Sequence, residues 1–200
     1  MTYKYIIHVS DIHIRHECDR FEEYSSVFDT TFERIRSCIK DNKCLIVCTG
    51  DLIHNKVRIT PIVIFLVNKF LKGLSDIGDV VLIDGNHDIN VGNETDKRLL
   101  EVIKKPENVN YISHTGEYVF NNVTIGASTL VDNKFIKYED IKNKQDITIA
   151  IGHFTLKEWL DERGIPAMTR VKCVKDFEGY KYTLLGDIHS RKCYQNCRYA

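Results

Sequence analysis

Short apolar runs alternate with longer amphipathic segments along the first half of the chain. Residues 5–9, 44–49 and 79–83 have the length and composition of β-strands. Between them, apolar positions recur every three to four residues over 21–41 and 61–74, which is the period of an α-helix. Pro61 suits the first turn of the second helix. The pattern predicts a β-α-β-α-β order, which is typical of an α/β domain.

The second half of the chain is richer in strand-like runs. Residues 118–120 and 123–127 flank Asn121 and Asn122, which favour a hairpin turn because Asn tolerates positive φ. Residues 147–151 and 182–185 are further apolar runs rich in β-formers. Two sheets packed together accommodate this set of strands. Since no linker or repeat is evident, we expect one domain over residues 1–200.

The sequence argues against a membrane-spanning protein and against a secreted protein. No apolar run approaches the roughly 18 to 20 residues that a membrane span requires. The first strand begins too early to leave room for a secretion signal. We therefore expect no membrane partner and an intracellular location, in cytoplasm, nucleoid or nucleus, without secretion.

Net charge and cysteine content by themselves indicate neither a polyanionic partner nor a disulfide scaffold. With 28 basic and 28 acidic residues the net charge is zero, so any attraction for a polyanion must be local. Two basic groups occur, which we interpret as solvated faces: Arg170, Lys172 and Lys175, and Arg191, Lys192 and Arg198. The odd number of cysteines, seven, predicts reduced thiols. Cys193 and Cys197 have a spacing that also suits zinc, but a lone pair favours a structural interpretation.

Five polar motifs each follow the end of a predicted strand. They are Asp11-x-His13, Gly50-Asp51-Leu52-Ile53-His54, Gly85-Asn86-His87-Asp88, Gly152-His153 and Gly186-Asp187-Ile188-His189. Ligands of open α/β sheets bind beyond the carboxyl ends of the strands, so these side chains are expected to meet. A mixture of carboxylate, imidazole and amide ligands suits manganese, iron or zinc, and manganese is our first choice. His8 and His114 lie outside the motifs, and we interpret them as structural.

Local geometry explains the form of these motifs. In an extended segment, the spacing of Asp11 and His13 turns both side chains to one side. A glycine precedes four of the ligand positions and permits sharp turns and close backbone approach. The four are Gly50, Gly85, Gly152 and Gly186.

The ordered set of motifs resembles the calcineurin-like metallophosphoesterase superfamily, from Asp11 to His189. That resemblance implies a β-sandwich of two mixed sheets flanked by helices, in αββα layers. The Ser/Thr protein phosphatases of the superfamily carry GDxVDRG and GNHE, whereas this chain reads GDLIHN and GNHD. With the SDIHI opening, these motifs are more similar to the SbcD-type DNA-repair exonuclease subunits, which work with an SMC-like ATPase.

The resemblance implies a role for each motif residue. Asp11, His13 and His189 would hold one divalent metal, Asn86, His153 and Asp187 the other, and Asp51 would bridge the pair. His87 would stabilise the transition state and protonate the leaving group, and His54 would steer the nucleic-acid strand. The implied function is a metal-dependent DNA exo/endonuclease of repair or recombination that hydrolyses phosphodiesters with a two-metal-activated hydroxide.

Two departures from the family keep alternatives open. Asp187 stands where the superfamily usually has His, so three carboxylates face two ions, which favours firmer metal binding and a weaker pull on phosphate. Alternatively, Asp187 only supports a ligand. The chain also stops at Ala200, before the DNA-capping and ATPase-docking regions, as a fragment or a reduced relative.

Three functions follow from these patterns. A manganese-dependent DNA nuclease is the first. Its expected partners are DNA as the substrate, an SMC-like ATPase and a second copy of the chain in a homodimer. A metallophosphoesterase acting on a small phosphodiester or a phosphoprotein is the second, and the zero net charge suits it. A non-catalytic scaffold is the third, which Asn86 and His87 argue against.

Overall fold

Two β-sheets pack face to face in the computed structural model, which describes residues 2–16, 20–40, 42–89, 98–132, 134–159 and 171–200. Helices cover the outer face of the first sheet. Short 3-10 helices and loops cover the outer face of the second sheet in the described residues. The fold class predicted from the sequence, an α/β sandwich of two sheets flanked by helices, is confirmed. Both sheets were expected to be mixed, but only the second is, because every strand pair of the first sheet is parallel.

The first sheet is parallel throughout, in the order β1-β2-β3-β4. Its strands are β1 (Tyr5–Val9), β2 (Cys44–Cys48), β3 (Asp79–Leu82) and β4 (Val109–Tyr111). Helices α1 (Phe21–Ile39) and α2 (Pro61–Ser75) follow the first two strands, and the short α3 (Leu99–Val102) precedes the last. Every residue of β2 is buried, as expected for a central strand covered on both faces. Parallel pairing brings the carboxyl ends of these strands to one edge.

The second sheet is mixed, in the order β11-β12-β10-β7-β6-β5. Its strands are β5 (Gly116–Phe120), β6 (Val123–Ser128), β7 (Ile147–His153), β10 (Tyr182–Gly186), β11 (Lys192–Tyr194) and β12 (Cys197–Tyr199). β6, β7, β10 and β12 pair in parallel, whereas β5 and β11 join as antiparallel edges. A separate pair is formed by β8 (Thr155–Leu156) and β9 (Val171–Lys172). Asn121 has φ 50° between β5 and β6, so the predicted antiparallel hairpin is confirmed.

The helix ends follow from local chemistry. The α1 helix ends at Ile39, two residues before the predicted end, because Lys40 takes a left-handed conformation with φ 47°. The α2 helix begins at Pro61, as predicted, and the Thr60 side chain accepts a hydrogen bond from the Val63 N–H. These two helices pack on the first sheet through aromatic side chains, with the rings of Phe28 and Phe70 4.9 Å apart.

The core between the sheets is aliphatic. Leu45 and Val47 of β2 face Ile125 and Ile149 of the second sheet, and all four are fully buried. In the described part of the chain, no helix combines the length and apolar character needed to cross a bilayer.

The described cysteines are free thiols, as predicted; Cys18 lies outside the described residues. Cys193 is exposed, whereas Cys197 is buried. Among the residues that the structure describes, no cysteine belongs to a group of potential metal ligands. The zinc interpretation of this pair therefore receives no support.

A buried carboxyl group follows strand β3. Asp84 is 1% exposed, and burial raises its pKa to about 7, with the charge of Asp88 acting in the same direction. The Tyr111 hydroxyl donates a hydrogen bond to this carboxyl group. In the unfolded chain, an aspartate has a pKa of about 3.9. The folded state therefore binds more protons than the unfolded state between about pH 4 and pH 7.

We predict that Asp84 makes the stability of the protein fall as pH rises through this window. The measurement is denaturant unfolding of the wild type and of Asp84→Asn at several pH values. Between about pH 4 and pH 7, the free energy of unfolding of the wild type should fall by on the order of 1–4 kcal/mol relative to that of the variant. The reason is that the Asn side chain does not titrate. A wild-type-minus-variant difference that stays constant with pH would contradict the raised pKa.

Candidate metal centre

The predicted motif residues meet where the carboxyl ends of the two sheets adjoin. The first sheet supplies Asp11, His13, Asp51, Asn86 and the nearby histidines 54 and 87, each from the segment after a strand. The second sheet supplies His153 as the last residue of β7, and Asp187 and His189 directly after β10. Gly186 and His153 are register partners, so the two motifs of this sheet lie side by side.

One group of four side chains forms the first potential metal site. The ligand atoms of Asp11, His13, Asp51 and His189 all lie within 4.8 Å of one another. His13 Nε2 is 2.9 Å from His189 Nε2 and 3.4 Å from Asp51 Oδ2. His189 Nε2 is 3.6 Å from Asp11 Oδ1. The His189 side chain is 62% exposed, so this site opens to solvent.

A second group surrounds His153 on the other side of Asp51. His153 Nε2 is 3.0 Å from Asn86 Oδ1, 3.5 Å from Asp51 Oδ2 and 3.9 Å from Asp187 Oδ1. The same oxygen of Asp51 therefore faces an imidazole nitrogen of each group. This placement allows Asp51 to contact a cation in either group.

The two remaining histidines stand beside the first group. The ring centroid of His87 is 4.7 Å from that of His13 and 5.3 Å from that of His54, with the His54 and His87 rings nearly parallel. His87 Nδ1 lies 2.8 Å from the His54 carbonyl oxygen. The ligand atoms of His13, His54 and His87 also lie within 4.8 Å of one another, so a metal held by three imidazoles is a geometric alternative.

The backbone of the first motif differs from our expectation. Asp11 and His13 have φ values of 56° and 49°, so the segment is left-handed and not extended. β1 ends at Val9, and the following residues hydrogen-bond to the next loop, Asp11 N–H to the Gly50 carbonyl and His13 N–H to that of Asp51. The predicted extended geometry was therefore wrong, because these tertiary bonds determine the backbone.

Left-handed backbone recurs at other predicted ligands. Asp51 has φ 54° and Asp187 has φ 95°, in addition to the two residues of the first motif. Conformations of this kind are costly for residues with a Cβ and cluster at functional sites, where the surrounding structure compensates for them. Several predicted ligands are thus held in strained turns directly after strands.

Glycines allow the turns of this centre to touch. A Cβ on Gly85 would lie 2.1 Å from Asp51 Oδ1, and one on Gly186 would lie 2.4 Å from the Thr49 carbonyl oxygen. Gly50 has φ +97°, a conformation that L side chains rarely adopt. The expectation that glycines permit close backbone approach is confirmed at these positions.

Asp88 is a residue of the site to which the sequence pattern gave no role. Its buried carboxylate accepts hydrogen bonds from the backbone N–H groups of Leu52, Ile53 and Gly85, at 3.3, 3.0 and 2.8 Å. It thereby joins the loop that carries Asp51 to the turn that carries Asn86. Its place at the end of the GNHD motif was the available signal.

Three further contacts orient the predicted ligands. The Asp51 Oδ1 atom accepts a hydrogen bond from the His87 N–H at 2.8 Å. The Thr155 hydroxyl donates to Asp187 Oδ2, and the Tyr24 hydroxyl donates to the His13 carbonyl oxygen at 2.9 Å. Thr155 and Tyr24 carry no motif, so only the structure identifies them.

The electrostatics of the centre favour a bound cation. Asp11 and Asp51 are both shielded from solvent, and in the described residues their ion pairs are with histidines only. Burial raises the pKa of Asp11. Burial also opposes charge on His153, but its hydrogen bond to Asp51 and the charges of Asp51 and Asp11 raise its pKa to about 9. The centre thus attracts positive charge, which here arrives as a proton.

The hydrogen bonding of His153 tests the fit of a metal. Its Nδ1 lies 2.7 Å from the Thr49 carbonyl oxygen, which fixes a proton on Nδ1. A second proton on Nε2 satisfies the oxygens of Asn86 and Asp51 in the metal-free protein. Once that proton is lost, the Nε2 lone pair faces these oxygens, so acceptors face acceptors. A divalent cation among these atoms would satisfy all of them, and the His/Asp cluster therefore fits a metal site.

His8 and His114, which we interpret as structural, lie outside both groups of ligands. His8 Nε2 is 2.9 Å from Thr49 Oγ1, and burial lowers the pKa of His8 to about 4. His114 is exposed and contacts the Ser113 hydroxyl through Nδ1 at 2.8 Å. Neither contact places a ligand atom in the centre.

We predict that manganese raises the thermal unfolding temperature of the metal-free protein and that Asp51→Asn weakens this effect. Asp51 faces both groups, so its loss should lower metal affinity at least about tenfold. The measurement is thermal unfolding during a manganese titration. The control is Asp76→Asn, which changes an exposed carboxylate paired with Lys72 and should keep the wild-type response. Equal responses in the two variants would contradict the site.

Comparison with known proteins agrees with this geometry. The family model described as calcineurin-like phosphoesterase matches residues 4–191. An uncharacterized protein of Acanthamoeba polyphaga mimivirus is 33% identical in an alignment that is 198 residues long and covers 93% of this chain. The chain spans 15% of the length of that relative. Since the family model covers nearly the whole sequence and the His/Asp cluster fits a metal site, this chain belongs to the calcineurin-like phosphoesterase family of metal-dependent phosphoester hydrolases.

Proposed function

We propose that this chain is a two-metal phosphodiesterase whose substrate is DNA, as an exo- or endonuclease. The observation that carries the proposal is the position of Asp51 Oδ2, 3.4 Å from His13 Nε2 and 3.5 Å from His153 Nε2. A carboxylate shared between two ligand groups is typical of centres that hold two divalent ions. The GDLIH and GNHD motifs support the SbcD-type subfamily within this proposal.

The proposed ligand sets follow the two groups. Asp11, His13 and His189 would hold one ion, Asn86, His153 and Asp187 would hold the other, and Asp51 would contact both. Two bound ions supply positive charge to a phosphodiester and lower the pKa of a bound water. The donor set contains oxygen and imidazole nitrogen but no thiolate, which supports manganese as the metal.

His87 is the proposed general acid. Its Nδ1 donates to the His54 carbonyl oxygen, which leaves Nε2 as the nitrogen that takes up and releases a proton. Its backbone N–H is fixed to Asp51 Oδ1, so the imidazole is positioned relative to the shared carboxylate. From this position, His87 protonates the leaving oxygen as the ester bond breaks.

His54 is the proposed second histidine. Its ring lies nearly parallel to that of His87, at 5.3 Å, and its Nδ1 is 3.5 Å from His13 Nδ1. It is half-buried at the rim of the first ligand group. There, the imidazole contacts the nucleic-acid strand and directs it toward the metal ions.

Asp187 is proposed to act as a ligand although the family usually has His there. One of its oxygens accepts from Thr155, while the other faces His153 at 3.9 Å. Its N–H donates to both carboxylate oxygens of Asp11, at 3.1 and 3.3 Å. The side chain is thereby oriented into the centre, with Oδ1 on the side of His153.

A basic cleft that extends along β1, β7 and β10 from His8 to their amino ends supports an extended anionic substrate. The cleft has a volume of about 650 Å³, and the described residues that line it include five basic side chains and no carboxylate side chain. The basic residues are Lys4, Lys181, Arg191, Lys192 and Arg198. Two lining residues connect the cleft to the ligand groups. Arg191 follows His189 by two residues. His8 contacts the Thr49 hydroxyl, and the Thr49 carbonyl oxygen accepts from His153 Nδ1.

This cleft gives one of the two basic groups in the sequence a proposed role. The group at residues 191, 192 and 198 joins two further lysines around an aliphatic floor, so positive charge is concentrated although the net charge of the chain is zero. Of the other group, Arg170 lies outside the described residues, and the Lys172 ammonium lies 4.1 Å from the ring centroid of Phe135.

We predict that His87→Ala abolishes phosphodiester hydrolysis while leaving metal content unchanged. Loss of a general acid typically costs a factor of about 10² to 10⁴ in rate. The measurement compares hydrolysis of bis-p-nitrophenyl phosphate, single-stranded DNA and duplex ends, together with metal analysis. His114→Ala is the matched control, since that histidine is exposed and away from the centre. Retained hydrolysis in His87→Ala would overturn the role of His87.

We predict that charge reversal in the cleft separates DNA from small esters. The double variant Arg191→Glu, Lys192→Glu should weaken single-stranded DNA binding by about tenfold or more and flatten its salt dependence. Hydrolysis of bis-p-nitrophenyl phosphate should stay within about twofold of wild type, because a small ester does not reach the cleft. Activity of the wild type on the small ester alone, with none on DNA, would instead support the small-phosphodiester alternative.

A further inference from the structure

A lysine joins two loops of the proposed active site. Lys56 Nζ donates hydrogen bonds to the carbonyl oxygens of Asn86, at 3.0 Å, and of Ile89, at 2.6 Å. These carbonyls stand at either end of the stretch that contains His87 and Asp88. Lys56 is half-buried and makes no ion pair with a described carboxylate. Its charge is therefore directed at backbone carbonyls of this turn.

Another hydrogen bond joins the loop that carries Lys56 to the turn that carries His87. The His87 Nδ1–H donates to the His54 carbonyl oxygen at 2.8 Å, two residues before Lys56. The loop itself is held by Asn55, whose Oδ1 accepts from the N–H groups of Val57 and Arg58 at 2.9 and 3.2 Å. Each segment thus supplies a donor side chain and an acceptor carbonyl to the other.

Two charged side chains bind the backbone of the turn at residues 85–89. One is a carboxylate that accepts from an N–H group, and the other is an ammonium that donates to carbonyl oxygens. Asp88 accepts from the Gly85 N–H and from two N–H groups of the loop at Asp51, whereas Lys56 donates to the carbonyls. Hydrogen bonds with a charged partner are about twice as strong as neutral ones. A compact ammonium suits this site because its three donors can reach two carbonyls at once.

We propose that Lys56 is a positioning residue that fixes the Asn86 side chain and the tautomer of His87. The inference rests on the proposed function, in which Asn86 is a metal ligand and His87 the general acid. With the Asn86 carbonyl held by Lys56, the Asn86 Oδ1 atom stays 3.0 Å from His153 Nε2. With the turn held against the loop, His87 Nδ1 stays bonded to His54, and Nε2 stays the reactive nitrogen.

The test compares Lys56→Met, which nearly keeps the length of the side chain without its charge, with Lys56→Arg, which keeps the charge and N–H donors on a longer side chain. Lys69→Met is the control, because Lys69 also binds a carbonyl, that of Ser25, but lies on α2 beside Asp29. We expect Lys56→Met to lower kcat on bis-p-nitrophenyl phosphate at least tenfold with KM within about twofold. Lys56→Arg should recover a large part of kcat, and Lys69→Met should match wild type.

A second readout is independent of activity. Nitrogen NMR of the histidine rings in the metal-free proteins reports which nitrogen of His87 carries the proton. We expect the Nδ1–H form in wild type and Lys69→Met, and a mixture of tautomers in Lys56→Met. If Lys56→Met does not fold, the same two measurements on Lys56→Gln, which keeps one donor, decide between the outcomes.

The outcomes separate the inference from the proposed function. Wild-type kcat and an unchanged His87 tautomer in the Lys56 variant would overturn the positioning role. A loss of kcat that Lys69→Met shares to the same extent would also overturn it, since it would then reflect stability alone. A wild type without phosphoesterase activity whose His87 tautomer still depends on Lys56 would refute the proposed function and leave the contact between the loops standing.

Discussion

Converging lone pairs are the constraint on which this structure depends. Carboxylate oxygens, an amide oxygen and imidazole nitrogens approach within 2.9 to 3.9 Å around Asp51. Most of these atoms are acceptors, so they repel one another unless positive charge lies among them. The same repulsion explains why the pKa of His153 is raised to about 9. A proton on His153 places positive charge among these oxygens. A divalent cation meets that demand for positive charge more completely.

The fold gathers these atoms by joining two sheets at their carboxyl ends. The first sheet supplies Asp11, His13, Asp51 and Asn86, and the second supplies His153, Asp187 and His189. The sheets come so close there that a Cβ on Gly186 would lie 2.4 Å from the Thr49 carbonyl oxygen and 2.5 Å from Ser10 Oγ. The aliphatic core between the sheets favours this approach, while strained turns, Asp88 and Lys56 hold the ligand loops against the repulsion.

Much of this arrangement could be predicted from the sequence because it depends on local signals. Strand-length apolar runs, helical periodicity and Pro61 gave the main elements to within a few residues. The motifs were recognisable because each follows a strand that runs toward the same edge. Asn121 and Asn122 marked the hairpin for an equally local reason, the tolerance of Asn for positive φ.

The remaining features arise from contacts between distant segments. The left-handed backbone of Asp11 and His13 is determined by bonds to Gly50 and Asp51, about forty residues away in sequence, so the extended prediction failed. The roles of Asp88 and Lys56 likewise exist only once the two loops are adjacent. Short strands such as β4, β11 and β12, of three residues each, carry too little pattern to be recognised before their partners are known.

The most direct test of the central claim is a crystal structure of the manganese-soaked protein with anomalous scattering at the manganese edge. The account predicts two anomalous peaks, one on each side of the Asp51 carboxylate, with His13 beside one and His153 beside the other. The absence of manganese from this centre, or a single peak held by His13, His54 and His87, would contradict it.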